Sequence, residues 1–298
     1  MKVNRFLIFM VIIGFVFVQN ACQSSNESNN LESEINQGID TTALEAKEKA
    51  QKVFYSLPSP IETALLLKRA GAKFNDEYLN PIDNSTKYTS TKKMALNLGV
   101  YSADLSFVSM FDQSQYSVKY LSAVKKMADE LGVLNAVDQS IFDRMDKNMD
   151  NPDSLMEIIS ETFMNSDAFL KENDRVETAS IVLVGGWLEG LYIASQIAKA
   201  TENNKEIIQR IIDQRTALET LLNLLEEYKD NQDVKDVIAY LKELKVLFDK
   251  IKVTTTKQEV VTENGKSVIK SDTKTEFKDE DINELFEKVI EIRSEIVS

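Results

Sequence analysis

The chain has 298 residues, with 48 acidic against 35 basic side chains and a net charge of −13; that excess repels phosphate backbones, no basic stripe offsets it, and nucleic acid is excluded as a partner. There is no histidine, which removes Ser-His-Asp triads, histidine bases and histidine metal ligands. The one cysteine, Cys22, allows neither an intramolecular disulfide nor a cysteine zinc site.

The first five residues carry Lys2 and Arg5, and residues 6–18 (FLIFMVIIGFVFV) are wholly apolar. Gln19, Asn20, Ala21 and Cys22 follow. A charged start, a short greasy run and a small residue before a cut describe a secretory signal, and the run is shorter than the roughly 20 residues a membrane span needs. Cysteine directly after a small residue resembles the lipobox of bacterial lipoproteins; Ala21 and Cys22 fit it, whereas Gln19 replaces the usual Leu and Asn20 the usual small residue. The resemblance implies cleavage of residues 1–21 and a thioether-linked diacylglycerol on Cys22, usually with a third, amide-linked chain. Several acyl chains hold a protein to a bilayer far more firmly than one. The alternative is an uncleaved anchor with an incidental cysteine. Loss of Lys2 and Arg5 with the signal takes the mature body from −13 to −15. Residues 22–40 then read as a polar, flexible tether with a reach of about 23 Å.

Nine glycines and four prolines are few for a protein rich in turns. Residues 41–298 are therefore expected to form a mainly α, multi-helix bundle carrying one C-terminal β-hairpin insertion. Helices are expected over residues 41–55 and 59–70, the second started by Ser59 as N-cap, Pro60 at the first position and Glu62 closing a capping box. A loop runs from Asn80 to Tyr88. Residues 92–111 are apolar nearly all round and read as a central helix. Helices over 114–131, 133–147 and 151–171 follow, the last with Asn151 as cap. Residues 175–199 form the most apolar helix after the signal, a buried central element or, alternatively, a membrane span. Two amphipathic helices, 205–228 and 234–252, are joined by a short link that predicts packing as a hairpin. The period then changes: residues 253–262 and 266–277 are rich in Thr, Val and Lys and flank Asn264-Gly265, a strong β-hairpin signal. Few apolar residues line either leg, so the ribbon is expected in solvent, where it could add a strand to a partner. A last helix spans 281–297.

Two small-residue ridges stand out, Ala95, Gly99 and Ala103 on one central helix and Gly186, Gly190, Ala194 and Ala198 on the other. Small residues let backbones approach closely, so these helices are predicted to be neighbours. Each carries one acid in apolar company. Asp104 shares its face with Val100, Phe107, Val108 and Phe111; Glu189 has Val182, Gly185, Gly186, Tyr192 and Ile193 around it. A buried carboxylate needs a cation, a donor, a proton or a wet pocket. Either Asp104 and Glu189, with Tyr101 and Tyr192, line one polar pocket, or each acid is satisfied separately. Asp146, Asn148, Asp150 and Glu157 hold positions 1, 3, 5 and 12 of an EF-hand-like calcium loop. The competing reading is a helix start, with Asn151 as cap and Pro152 behind it. The aromatics Tyr101, Phe107, Phe111, Tyr116 and Tyr120, and the single Trp187, read as core.

Three stretches together, YSLPSPIE from Tyr55 to Glu62, NLGVYSADL from Asn97 to Leu105 and GGWLEGLY from Gly185 to Tyr192, resemble a group of uncharacterised helical lipoproteins of Gram-negative envelopes. The resemblance covers most of residues 45–250 and transfers no catalytic residue. It implies an envelope lipoprotein, lipid-anchored through acylated Cys22, of unknown specific role. The expected activity is non-enzymatic, binding or scaffolding, with the bilayer and an envelope protein as partners and no cofactor. Gln23 in place of Asp after the cysteine favours the outer membrane. The alternative is ligand- or metal-dependent activity in a pocket lined by Asp104 and Glu189.

Overall fold

A computed structural model of the chain describes residues 68–69, 71–133, 139–148, 151–173, 175–201, 204–255, 259–263, 266–270 and 273–298. The signal, Cys22, the tether and the helix expected at 41–55 lie outside the described residues, as does most of the one at 59–70. The described part is mainly helical. Nine helices, α1 Thr91–Met110, α2 Ser114–Glu130, α3 Gln139–Lys147, α4 Pro152–Glu172, α5 Val176–Ala200, α6 Lys205–Asp213, α7 Arg215–Glu226, α8 Gln232–Lys250 and α9 Asp279–Ile296, follow the expected order.

Their ends follow local chemistry. The side chains of Ser90, Asn151 and Asn231 accept backbone N–H groups at the starts of α1, α4 and α8, filling donors that a helix leaves open. Both α1 and α2 close in the same way. Asp112 N–H bonds Ser109 O while Gln113 N–H bonds Val108 O; Gly132 N–H bonds Asp129 O while Val133 N–H bonds Ala128 O. This is the two-bond Schellman closure, with Gly132 at φ 73° and Asp112 at φ 57° in the left-handed position. Val133 thus belongs to the cap of α2, and α3 starts later than the pattern predicts.

A second correction concerns residues 205–228, expected as one helix. They form α6 and α7, which meet at Gln214. The cause lies in two polar side chains at the joint. Gln214 Oε1 accepts the Trp187 indole N–H at 3.2 Å, and Arg215 donates to the carbonyls of Phe248 and Ile251 at the end of α8. That Trp187 is half-buried against the core.

The core sits around α1 and α5. On α1, Ala95 through Tyr101 and Ala103 through Met110 are buried without a break. Helices α4, α6, α7, α8 and α9 also contact α5, while α2 and α9 pack on α1, and α7 packs on α8 as the short link requires. Among the described residues α5 alone is long and apolar enough to cross a membrane, yet 83% of its most apolar window is buried against the rest of the protein. Its apolarity therefore serves the protein's own core.

The contact between α1 and α5 is backbone on backbone. A methyl group built on Gly99 would lie 2.2 Å from Val182 O and 2.5 Å from Gly186 N; one on Gly185 would lie 2.0 Å from Leu96 O. The ridges therefore do meet, at Gly99 and Gly186, but the tightest approach falls on Gly185, one residue off the expected stripe.

After α8 the chain forms four short strands, β1 Lys252–Thr255, β2 Glu259–Glu263, β3 Lys266–Lys270 and β4 Thr273–Glu276. They make two separate antiparallel two-stranded sheets, β1 with β4 and β2 with β3, rather than one continuous hairpin over 253–277. With few apolar residues to bury, legs of this composition gain little from longer pairing. The Asn264-Gly265 turn lies outside the described residues.

Candidate functional site

The two acids singled out in the sequence come together. Asp104 on α1 and Glu189 on α5 are both fully buried, close enough for the Glu189 charge to act on Asp104. A third element joins them. Arg293, in the last turn of α9, donates from Nε to Glu189 Oε2 at 3.0 Å and from a terminal nitrogen to Oε1 at 2.8 Å. This paired geometry is the strongest that guanidinium and carboxylate can make. The guanidinium also lies 4.5 Å from the centre of the Tyr192 ring. Tyr101 is fully buried beside Asp104, and its hydroxyl donates to Pro81 O at 3.0 Å.

Asp104 has a second task. Its Oδ2 accepts the backbone N–H of Asn80 at 3.1 Å. The segment through Asn80 is irregular, yet Leu79 and Asn80 are buried, and a buried irregular backbone must find partners among side chains. Asn80 finds all of them. Its carbonyl accepts the Tyr120 hydroxyl at 3.0 Å, and its side-chain amide donates to Tyr88 Oη at 3.0 Å and Asn97 Oδ1 at 3.3 Å. Its Oδ1 accepts from Asn84 at 2.8 Å. The network ends on the last residues of the chain: Asn97 donates to Ile296 O at 3.0 Å and the Tyr88 hydroxyl to Val297 O at 3.1 Å.

Charge follows geometry. Asp104 Oδ1 is buried without a donor. Burial, and after it the Glu189 charge, raises the Asp104 carboxyl well above the usual carboxylate range, outweighing the Arg293 charge and the Asn80 amide. A protonated Oδ1 can itself donate to Glu189, which gives the orphan oxygen a partner. Burial by itself would lower the Arg293 guanidinium, but the Glu189 charge and hydrogen bonds together raise it. Burial also pushes up the phenols of Tyr88, Tyr101, Tyr120 and Tyr192, which keeps them as neutral donors.

Chemically, this cluster holds and positions; it does not present reactive atoms. Both oxygens of Glu189 are engaged by Arg293, and neither acid has any exposed surface. The calcium-loop candidates are arranged otherwise. Asp146 and Glu157 are exposed on α3 and α4, Asn148 donates to Arg144 O at 2.7 Å, and Asn151 caps α4; Asp150 lies outside the described residues. Among the described residues no group of three or more Asp, Glu or Cys side chains is placed to hold a metal ion. The expected aromatic cluster divides in two. Phe107, Phe111 and Tyr116 gather around Phe74, with ring centres 6.0, 6.4 and 5.3 Å from its own, while Tyr101 lies between Tyr88 and Tyr120 at 6.4 and 6.1 Å.

No protein family, characterised protein or solved structure matches this chain.

Sequence reasoning missed Arg293, Asn80, Asn97 and Tyr88. One of them left a signal. Arg293 is the lone cation on the apolar stripe of Ile282, Leu285, Phe286, Val289, Ile292 and Ile296. Two lone acids on apolar faces call for such a base.

Proposed function

We propose that this protein is an envelope lipoprotein, held on a membrane by acyl chains on Cys22, whose helical body binds or scaffolds another envelope component without catalysing a reaction. The signal-like residues 1–21 followed by the chain's only cysteine support the anchor. One observation carries the non-catalytic part of the reading. The best-placed acids, Asp104 and Glu189, are spent on holding α1, α5 and α9 together, with no exposed surface left for a substrate. Gln23, in place of Asp after the cysteine, favours the outer membrane. In this reading the two short sheets between α8 and α9 offer strand edges to a partner.

The test is metabolic labelling with an acyl probe. Label is expected on the wild-type chain and absent from Cys22→Ala. An unlabelled wild-type protein, or a labelled Cys22→Ala variant, refutes the anchor. Crosslinking in intact cells followed by mass spectrometry then names the partner and its compartment.

The second reading, ligand- or metal-dependent activity at Asp104 and Glu189, rests on the donor-less Oδ1 of Asp104. It predicts that Asp104→Asn, which keeps the shape and a donor, abolishes the cellular role while the protein stays folded.

A further inference from the structure

Asp104 occupies a position where an ionised carboxylate is poorly matched. One oxygen accepts the Asn80 amide; the other has no donor and faces Glu189, whose charge Arg293 already balances. With all three groups ionised, the cluster keeps one uncompensated negative charge in a core that excludes water, and such a charge is costly. With a proton on Asp104, the orphan oxygen becomes a donor to Glu189 and the cluster is neutral.

Among the described residues, Arg293 is the cation that acts on this cluster. Asp104 is faced by Tyr101 from its own helix, Tyr120 from α2, Glu189 and Tyr192 from α5, Asn80 from the loop and Arg293 from α9. Burial raises every one of those phenols, so they stay neutral and supply no positive charge to balance the carboxylate.

Relief must come from water, and the fold decides where water enters. Asp104 and Glu189 sit on the two central helices with no exposure, whereas Arg293 retains 8%. Arg293 lies in the last turn of α9, whose neighbouring carbonyls, Ile296 O and Val297 O, are held only by side chains, Asn97 and Tyr88. That turn carries the least enclosed member of the cluster. We propose that the Asp104 proton is a latch on the C-terminal helix: bound, it closes the Asp104–Glu189–Arg293 cluster and seats the last turn of α9; lost in alkaline medium, it opens that turn to water.

The sign follows from the folded carboxyl binding its proton more tightly than the unfolded one, whose ordinary value is 3.8. The latch is fully closed below that value and weakens as pH rises through the folded value. While one proton separates the two states, the opening constant grows about tenfold per pH unit.

The experiment is amide hydrogen exchange on the full chain between about pH 5 and 9, corrected for the intrinsic pH dependence of exchange. Protection of residues 289–298 is expected to fall by up to about tenfold per pH unit in the wild type and to stay level in Asp104→Asn, with α1 and α5 unchanged in both. An equal slope in Asp104→Asn, a level wild type, or an equal loss in every helix overturns the latch. A second readout needs no variant. The infrared carbonyl band of a neutral carboxylic acid must be present in the wild type at neutral pH, persist while protection falls, and disappear where that fall levels off. Its absence at neutral pH overturns the proposal even if Asp104→Asn does not fold.

Discussion

Replacing Gly185 by alanine tests the packing of the two central helices at one atom. The added methyl would start 2.0 Å from Leu96 O, against the 3.4 Å at which ordinary contact begins. The obstacle is backbone, so no side chain can rotate away, and the helices must separate locally by about 1 Å or more. Overpacking of this kind costs about 1–3 kcal/mol, and a rigid backbone neighbour places Gly185 at the top of that range. The better helix propensity of alanine returns about 1 kcal/mol. The net expectation for Gly185→Ala is about 2 kcal/mol of lost stability, and the same for Gly99→Ala, whose methyl would meet Val182 O at 2.2 Å. Gly186→Ala supplies the internal control. Its methyl would find Gly99 O at 3.4 Å, an ordinary contact, so only the propensity gain of up to about 1 kcal/mol remains. Two adjacent glycines on one helix should thus differ by about 3 kcal/mol, or roughly 6–12 °C in melting temperature for a body of this size. Urea and thermal unfolding followed by circular dichroism read this directly. If Gly185→Ala and Gly186→Ala agree within about 0.5 kcal/mol, the close approach of α1 and α5 is wrong.

The buried ion pair and the buried loop carry further expectations. Arg293→Met leaves Glu189 buried without its cation and should cost about 3–5 kcal/mol, while adding Glu189→Gln should recover at least half of that loss; a neutral Arg293→Met in urea titration contradicts the role given to the pair. Asn80→Ala removes the donors to Tyr88 Oη and Asn97 Oδ1 and should cost at least about 2 kcal/mol, whereas exposed Asp83→Ala nearby should change stability by less than about 0.5 kcal/mol. Equal effects of the two in thermal unfolding would show that the loop is not anchored through Asn80.

The sequence makes the helices legible wherever a local rule decides them. Asn151 with Pro152 starts α4 and Gly132 ends α2, because each acts within one turn. The pairing of α1 with α5 is legible too, since both carry small residues at helical spacing, but the register is not. Gly185 and Gly186 sit 100° apart on the helix, and which one meets α1 depends on a crossing that no local pattern encodes. The break at Gln214 is visible afterwards as a missing apolar residue, where Arg215 stands in the sequence of Ile211, Ile212 and Leu218. Asp104 and Glu189 are conspicuous as acids on apolar faces, yet their partner lies more than 100 residues away from Glu189 in the chain. Asn80-Pro81 looks like any surface turn. That its backbone is bonded into the core follows only from the Asp104 carboxylate and the Tyr101 and Tyr120 hydroxyls that α1 and α2 bring to it.

Arg293 has a consequence for the order of assembly. The counter-charge for Glu189 and the carbonyls that hold Asn97 and Tyr88 all reside in the closing turn of α9, about 200 residues after Asn97 and Tyr88. Contacts of such long range form late, because the intervening chain must first surrender its freedom. While the ribosome extends the chain at about 5–20 residues per second, α1 and α5 emerge with two carboxylates that cannot yet be buried together at low cost. The core is therefore expected to close only when the final helix arrives. If the proposed export holds and the chain crosses a membrane as a thread, that delay keeps it transportable until the far side.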